Sequence, residues 1–219
     1  MSPWSQLFGH FPFRIKTKKR LVAMTFDDGP NEPYTTQIAE YLHKKQISGT
    51  FFLVGECLKR YPKTAAKLVK LGHVIGNHST SHRFGASLST NAYQQEIEST
   101  QNLIYSQIRK RPLLFRPPWL LRTPGFLNRL LQHGLSVVSG EFCHPLEVAG
   151  INAKSIAKLA VLQTKPGTIL IFHDGDNGKT GNRLQTVEAL KLVVTELQRL
   201  NYLFVSVDEL LGVKPYEIN

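Results

Sequence analysis

Leu21-Val22-Ala23-Met24-Thr25-Phe26-Asp27-Asp28-Gly29-Pro30 is an apolar run that stops on two adjacent carboxylates and a glycine-proline pair. The run reads as a strand, and Gly29-Pro30 ends it abruptly. Asp27 and Asp28 therefore sit at the C-terminal end of a strand. Active sites of parallel α/β folds collect at that edge, whereas a solvated structural Asp pair would be equally at home on a helix surface.

The same pattern recurs along the chain. Apolar runs at about 48–54, 73–77, 113–116, 135–139, 168–172 and 202–207 read as further short strands. Helical patterns at about 34–46, 57–71, 90–110, 125–133, 152–164 and 183–200 separate them. Strictly alternating strands and helices require parallel strands with right-handed crossovers. About seven such units are enough to close a barrel, and periodicity alone leaves an open sheet as the alternative. With 219 residues, 42% of them hydrophobic, the chain suits one well-buried domain. It divides into a lead-in at 1–20, a domain over 21–212 and a tail at 213–219.

His78-Ser79-Thr80-Ser81-His82 adds the second element of chemistry. Histidines at i and i+4 project from the same side of a helical turn, and a carboxylate from elsewhere would complete a three-residue metal site with positions left open. With eight histidines in the chain such a pair arises readily by chance. Its weight comes from combination with Asp27-Asp28, which offers one carboxylate as ligand and keeps one as a spare base.

These blocks resemble the polysaccharide deacetylase family, the NodB-type carbohydrate esterases that remove acetyl groups from amino sugars. Arg116-Pro117-Pro118-Trp119 resembles the family's third block and Ile169-Leu170-Ile171-Phe172-His173-Asp174 its last, so the likeness spans roughly residues 21 to 210. The resemblance implies a distorted (β/α)7 barrel of α/β class, with residues 21–212 as the catalytic domain. It implies Asp27 as general base, Asp28, His78 and His82 as metal ligands, Arg116 as the residue orienting Asp27, and His173 as general acid. It also implies a substrate and oxyanion side formed by Pro118, Trp119 and Ile171. Each role has a physical reason. A bound divalent cation acidifies water, a carboxylate kept ionised by Arg116 can take a proton, and a histidine can protonate an amine that otherwise leaves poorly. Zinc suits two His and one Asp, and so do cobalt, nickel and iron.

The chain departs from the family pattern in two places. The fourth block normally carries an Asp-Trp pair that tunes the acid histidine and walls the acetyl pocket, and Val138-Ser139-Gly140-Glu141-Phe142-Cys143-His144-Pro145 has neither. Glu141, His144 and Glu147 are the candidates for the polar role and Phe142 for the wall. In the third block Trp119-Leu120 stands where the family more often has Tyr-Gly, which makes that loop bulkier.

The expected substrate is an acetylated glycan, peptidoglycan-like or chitin-like. The alternatives are an O-acetyl ester, a cyclic amide, or glycan binding without catalysis, which the presence of both Asp27 and His173 disfavours. The net charge of +11 comes from basic residues scattered over helix patterns, with no nucleic-acid-binding motif, so no nucleic acid is expected as partner. No partner protein is implied. Trp4, Leu7, Phe8 and Phe11, at helical spacing ahead of the basic run 14–20, make residues 1–20 a candidate for peripheral membrane or cell-wall contact, against capping of the barrel's open bottom. The compartment is undetermined. No signal-peptide core or membrane span stands out, and the family suggests the cell envelope. Cys57 and Cys143 allow a disulfide or free thiols.

Overall fold

The structure, a computed structural model, describes residues 11–84, 90–121 and 123–218. The expected strands are all present: β1 (Leu21–Asp27), β2 (Thr50–Leu53), β3 (Val74–Asn77), β4 (Leu114–Phe115), β5 (Ser136–Val137), β7 (Thr168–His173) and β8 (Leu203–Val205). A two-residue strand, β6 (Glu141–Phe142), joins them. All pair in parallel in the order β5-β4-β3-β2-β1-β7-β6, with β8 against the first half of β1. The sheet curls into a half-barrel, in keeping with the distorted (β/α)7 barrel that the resemblance implies, and residues 138–140 carry the chain from one edge strand, β5, to the other, β6.

Alternation along β1 sets the layers. Val22, Met24 and Phe26 face outward and pack with α1 (Tyr34–Lys44) and α7 (Leu184–Arg199), Phe26 stacking on Phe51 at 4.7 Å and Phe172 at 5.9 Å. Ala23 faces the barrel interior with Phe52, Leu114, Val138 and Ile169. Thr25 and Asp27 share that inner face, so the strand's own period delivers one carboxylate to the top of the barrel.

The remaining helices are α2 (Gly55–Arg60), α3 (Thr64–Lys70), α4 (Thr90–Ile108), α5 (Pro124–Gln132), α6 (Ala153–Gln163) and α8 (Val207–Leu211). The single helix expected at 57–71 is broken into α2 and α3 at Tyr61-Pro62-Lys63, because proline brings no N–H and its ring clashes with the preceding turn. The periodicity also missed α8, whose start is a reciprocal Ser206/Glu209 capping box.

The described part of the lead-in, residues 11–20, is built into the barrel. Ser139 and Ile169 donate their N–H groups to the carbonyls of Pro12 (2.8 Å) and Phe13 (3.1 Å), and Ile15 N–H bonds Gly167 O (3.0 Å). Phe11 is fully buried against Tyr93, Phe115 and Phe126. Phe11 is thus withdrawn from any membrane-facing stripe, because it fills an apolar hollow of the domain. Trp4, Leu7 and Phe8 lie outside the described residues. At the other end Leu113 N–H bonds Pro215 O and the Tyr216 hydroxyl accepts from Ile75 N–H. Among the described residues no helix is long and apolar enough to cross a membrane.

Candidate active site

Asp28, His78 and His82 converge at the C-terminal edge of the sheet, their ligand atoms all within 4.8 Å of one another and all three side chains buried. Asp28 turns off the end of β1 with a φ of 75°. The turn is packed so closely that only glycine fits beside it. A Cβ on Gly29 would lie 2.0 Å from Asp174 Oδ2, and one on Gly175 would lie 2.2 Å from the Asp28 carbonyl oxygen. Asp28 Oδ2 accepts from Asn177 N–H (2.8 Å). Oδ1 lies 2.9 Å from His82 Nε2 and 3.4 Å from His78 Nε2, yet accepts no well-aligned hydrogen bond. An orphaned buried carboxylate oxygen facing two imidazole nitrogens is the donor set a divalent cation requires. His78 Nδ1–H donates to Arg116 O at 2.7 Å, which leaves Nε2 as the lone-pair nitrogen. Burial opposes ionisation of Asp28, but the two imidazoles outweigh it and hold the carboxyl well below its usual range.

The histidines do not share a helical turn as the spacing suggested. Residues 78–82 form an irregular loop after β3, with φ of 65° at Ser79 and 54° at His82. The loop's polar groups bond outside it: the carbonyls of Ser79 and Thr80 accept from the N–H groups of Gly55 and Glu56 at the start of α2. Backbone groups spent there cannot close i to i−4 bonds.

Arg116, fully buried after β4, donates through Nη1 to Asp27 Oδ1 (2.6 Å) and Thr25 Oγ1 (2.7 Å) and through Nη2 to Ser139 O (2.8 Å). Its guanidinium lies 4.1 Å from the centroid of the Phe52 ring. Burial pulls the Arg116 pKa below its usual value and the Asp27 charge opposes that fall. One side chain therefore orients Asp27 and ties down the segment that joins the two sheet edges.

His173 ends β7 in register with Asp27. Of the three candidates for its partner, Glu147 meets it. Glu147 Oε2 accepts from His173 Nδ1 at 2.7 Å, while Oε1 accepts from the His173 N–H (3.1 Å) and the Thr186 hydroxyl (2.7 Å). Burial lowers the His173 pKa, but Glu147, with Asp28 and Asp27 behind it, reverses this and raises it to about 9. Burial acts upward on Glu147 in turn, and His173 and Thr186 overcome it to leave the carboxyl below its usual range. Glu141 pairs on β6 with Leu170, and His144 accepts Leu146 N–H on Nδ1. Glu147 thus supplies the carboxylate beside His173, and both Phe142 and Val148 line the cleft.

The cleft above these groups, about 320 Å³, is lined by Trp119, Leu120, Phe142, His144 and Val148 together with the ionisable residues. Trp119 takes a left-handed turn (φ 59°) on its rim, half exposed. Pro118 and Ile171 are buried and do not line it, Pro117 doing so instead. Ile171 points into the barrel one layer below His173, where a Cβ on Gly140 would come within 2.5 Å of it. Phe142 lies parallel to the His173 ring at 6.0 Å and walls the cleft beside it. Both cysteines are free and buried, Cys57 with its thiol 3.5 Å from Asp28 O and pushed by burial to about 12.

Sequence reading missed Asn177, Arg183, Thr186 and Asp174. Arg183 is buried and bonds the carbonyls of Gly175 (2.7 Å) and Val148 (3.0 Å), joining the Asp28 side to the His173 side. Asp174 accepts from Thr35 beneath the Asp28 turn, and burial raises its carboxyl to about 7. The one signal available was Asp174 directly following His173 at a strand end.

The family model of polysaccharide deacetylases matches residues 14–138, stopping where the divergent fourth block begins. A peptidoglycan-N-acetylglucosamine deacetylase of Bacillus cereus is 32% identical over 94% of this chain and 95% of its own length. The peptidoglycan-N-acetylmuramic acid deacetylase PdaC of Bacillus subtilis is 30% identical over 91% of this chain and 40% of its own. Among solved structures, the peptidoglycan N-acetylglucosamine deacetylase Bc1960 bound to an N-oxidanyl-benzamide superposes with a TM-score of 0.88 at 26% identity, covering 99% of this chain and 100% of that one. The chain belongs to the polysaccharide deacetylase family and is a hydrolase of carbon–nitrogen bonds other than peptide bonds.

Proposed function

We propose that the protein removes N-acetyl groups from amino sugars of peptidoglycan in the cell wall, with Asp28, His78 and His82 holding a divalent cation, zinc first among the candidates. The observation that carries this reading is the placement of two supported titratable groups, Asp27 on Arg116 and His173 on Glu147, on register-paired strand ends beside that donor set. A cation bound there supplies Lewis acidity to the acetyl carbonyl and to the attacking water. Asp27, its Oδ1 held by Arg116, takes the water's proton on its other oxygen. Rim residues at Trp119 orient the acetyl group, its backbone N–H facing the developing oxyanion. His173 is charged at neutral pH, and with Nδ1 on Glu147 it delivers a proton from Nε2 to the departing nitrogen.

The His173–Glu147 pair favours an amide over an O-acetyl ester, since an amine must be protonated to leave and an alkoxide is less dependent on it. The test is acetate release from peptidoglycan, chitooligosaccharides and acetylated xylan, with chelated and zinc-restored protein. Release from peptidoglycan that zinc restores is expected. Faster release from xylan than from either amide would overturn the assignment.

A further inference from the structure

We propose that Glu96, on α4, is the positioning residue that holds His78 and His82 in ligating geometry. The inference rests on the metal-site reading above. The loop 78–82 has no helix to shape it, and two of its residues sit at positive φ. The carbonyls of Ser79 and Thr80 are taken by α2, His78 N–H bonds Leu53 O and Ser79 N–H bonds Asn77 Oδ1 (2.8 Å), which leaves the N–H groups of Thr80 and Ser81 to be matched from elsewhere. Glu96 matches them. Its Oε2 accepts from both Thr80 N–H (2.9 Å) and Ser81 N–H (2.7 Å), and its Oε1 accepts from the Ser81 hydroxyl (2.8 Å). The Thr80 hydroxyl donates to the Glu96 carbonyl (2.7 Å), and Thr100, one turn on, meets the same hydroxyl at 2.9 Å.

One carboxylate therefore binds the two residues midway between the ligands by charge-assisted bonds, clamping the loop against α2 on its other side. Removing it strands two backbone donors in a half-buried position. The free loop would then have to be ordered by the cation itself, at a cost in affinity. Glutamine tests the hydrogen bonds apart from the charge: its amide oxygen can take the Oε2 place and accept from both N–H groups, and its NH2 can donate to the Ser81 oxygen.

The experiment is a zinc titration of folded, metal-free protein against a chromophoric chelator, with circular dichroism as the folding control. The parent should bind one zinc and His78→Ala should lose it; failure of either would sink the metal-site reading itself. Given those results, Glu96→Ala should weaken zinc binding by about 10- to 100-fold, and Glu96→Gln should stay within about threefold of the parent. Unchanged affinity in Glu96→Ala, or an equal loss in Ala and Gln, would overturn the inference. Should the alanine variant not fold, Glu96→Asp, which keeps the charge but withdraws it by one methylene, should bind more weakly than Gln; equal affinity of Asp, Gln and parent would overturn it.

Discussion

The two sides of the cleft are built on different plans. On the side of the proposed ligands, Asp27 and Asp28 leave β1 directly and His78 follows β3 directly, so the candidate residues stand at strand ends and their supports come from the strands and helices alongside. On the His173 side, His173 ends β7, but its partner Glu147 comes from a segment after the two-residue strand β6, and is reached only because that segment folds back over the strand end. A function supported by contiguous strand ends is legible as a motif. One completed across a loop is tolerant of which residue supplies the carboxylate, as long as the oxygen arrives.

Breaking the ligand side should have the largest effect. His78→Ala leaves two protein ligands, and both zinc and activity should fall, the latter by at least about a thousandfold. Elemental analysis beside acetate release checks this, and full zinc occupancy with retained turnover would remove the distinction between the two sides.

The acid side should respond through pH while zinc stays bound. His173 carries a raised pKa of about 9 because of Glu147, so Glu147→Gln should move the basic limb of kcat/KM to lower pH and cost about tenfold at pH 8. The same pair makes a prediction for stability. The raised His173 contributes fully below its ordinary 6.5 and loses that contribution as pH rises through about 9, while Glu147, depressed from 4.5, loses its own contribution as pH falls below that value. The gap in Tm between parent and Glu147→Gln should be widest between those ordinary values and close towards pH 9. A gap independent of pH would show that Glu147 acts by packing alone. Smallest of all should be Glu141→Gln on β6, which should leave the limb in place and activity within about twofold; a displaced limb there would mean that the loop supports His173 by a second route.

Local order settled what could be read. The apolar run 21–26 with Asp27-Asp28-Gly29-Pro30 was legible as a strand end bearing carboxylates because strand, charges and breaker are contiguous. The alternation of elements and the blocks at 78–82, 116–119 and 169–174 pointed to the barrel and to its family for the same reason. The spacing of His78 and His82 misled on conformation, since four residues suit a helical turn only if the backbone bonds stay within it. Here Gly55, Glu56 and Glu96 claim them.

What the tertiary structure alone decided was partnership and facing. Glu141, His144 and Glu147 were equal candidates in sequence, each a polar residue some distance before His173, and the path of one loop selected Glu147. Ile171 sits two residues from His173 on the same face, yet depth in the barrel buries it beneath His173 instead of beside the cleft. Sequence records which side chains a strand end can offer. Which of them meet depends on how distant segments pack, because a hydrogen bond reaches only about 3 Å and no spacing along the chain reports a distance across it.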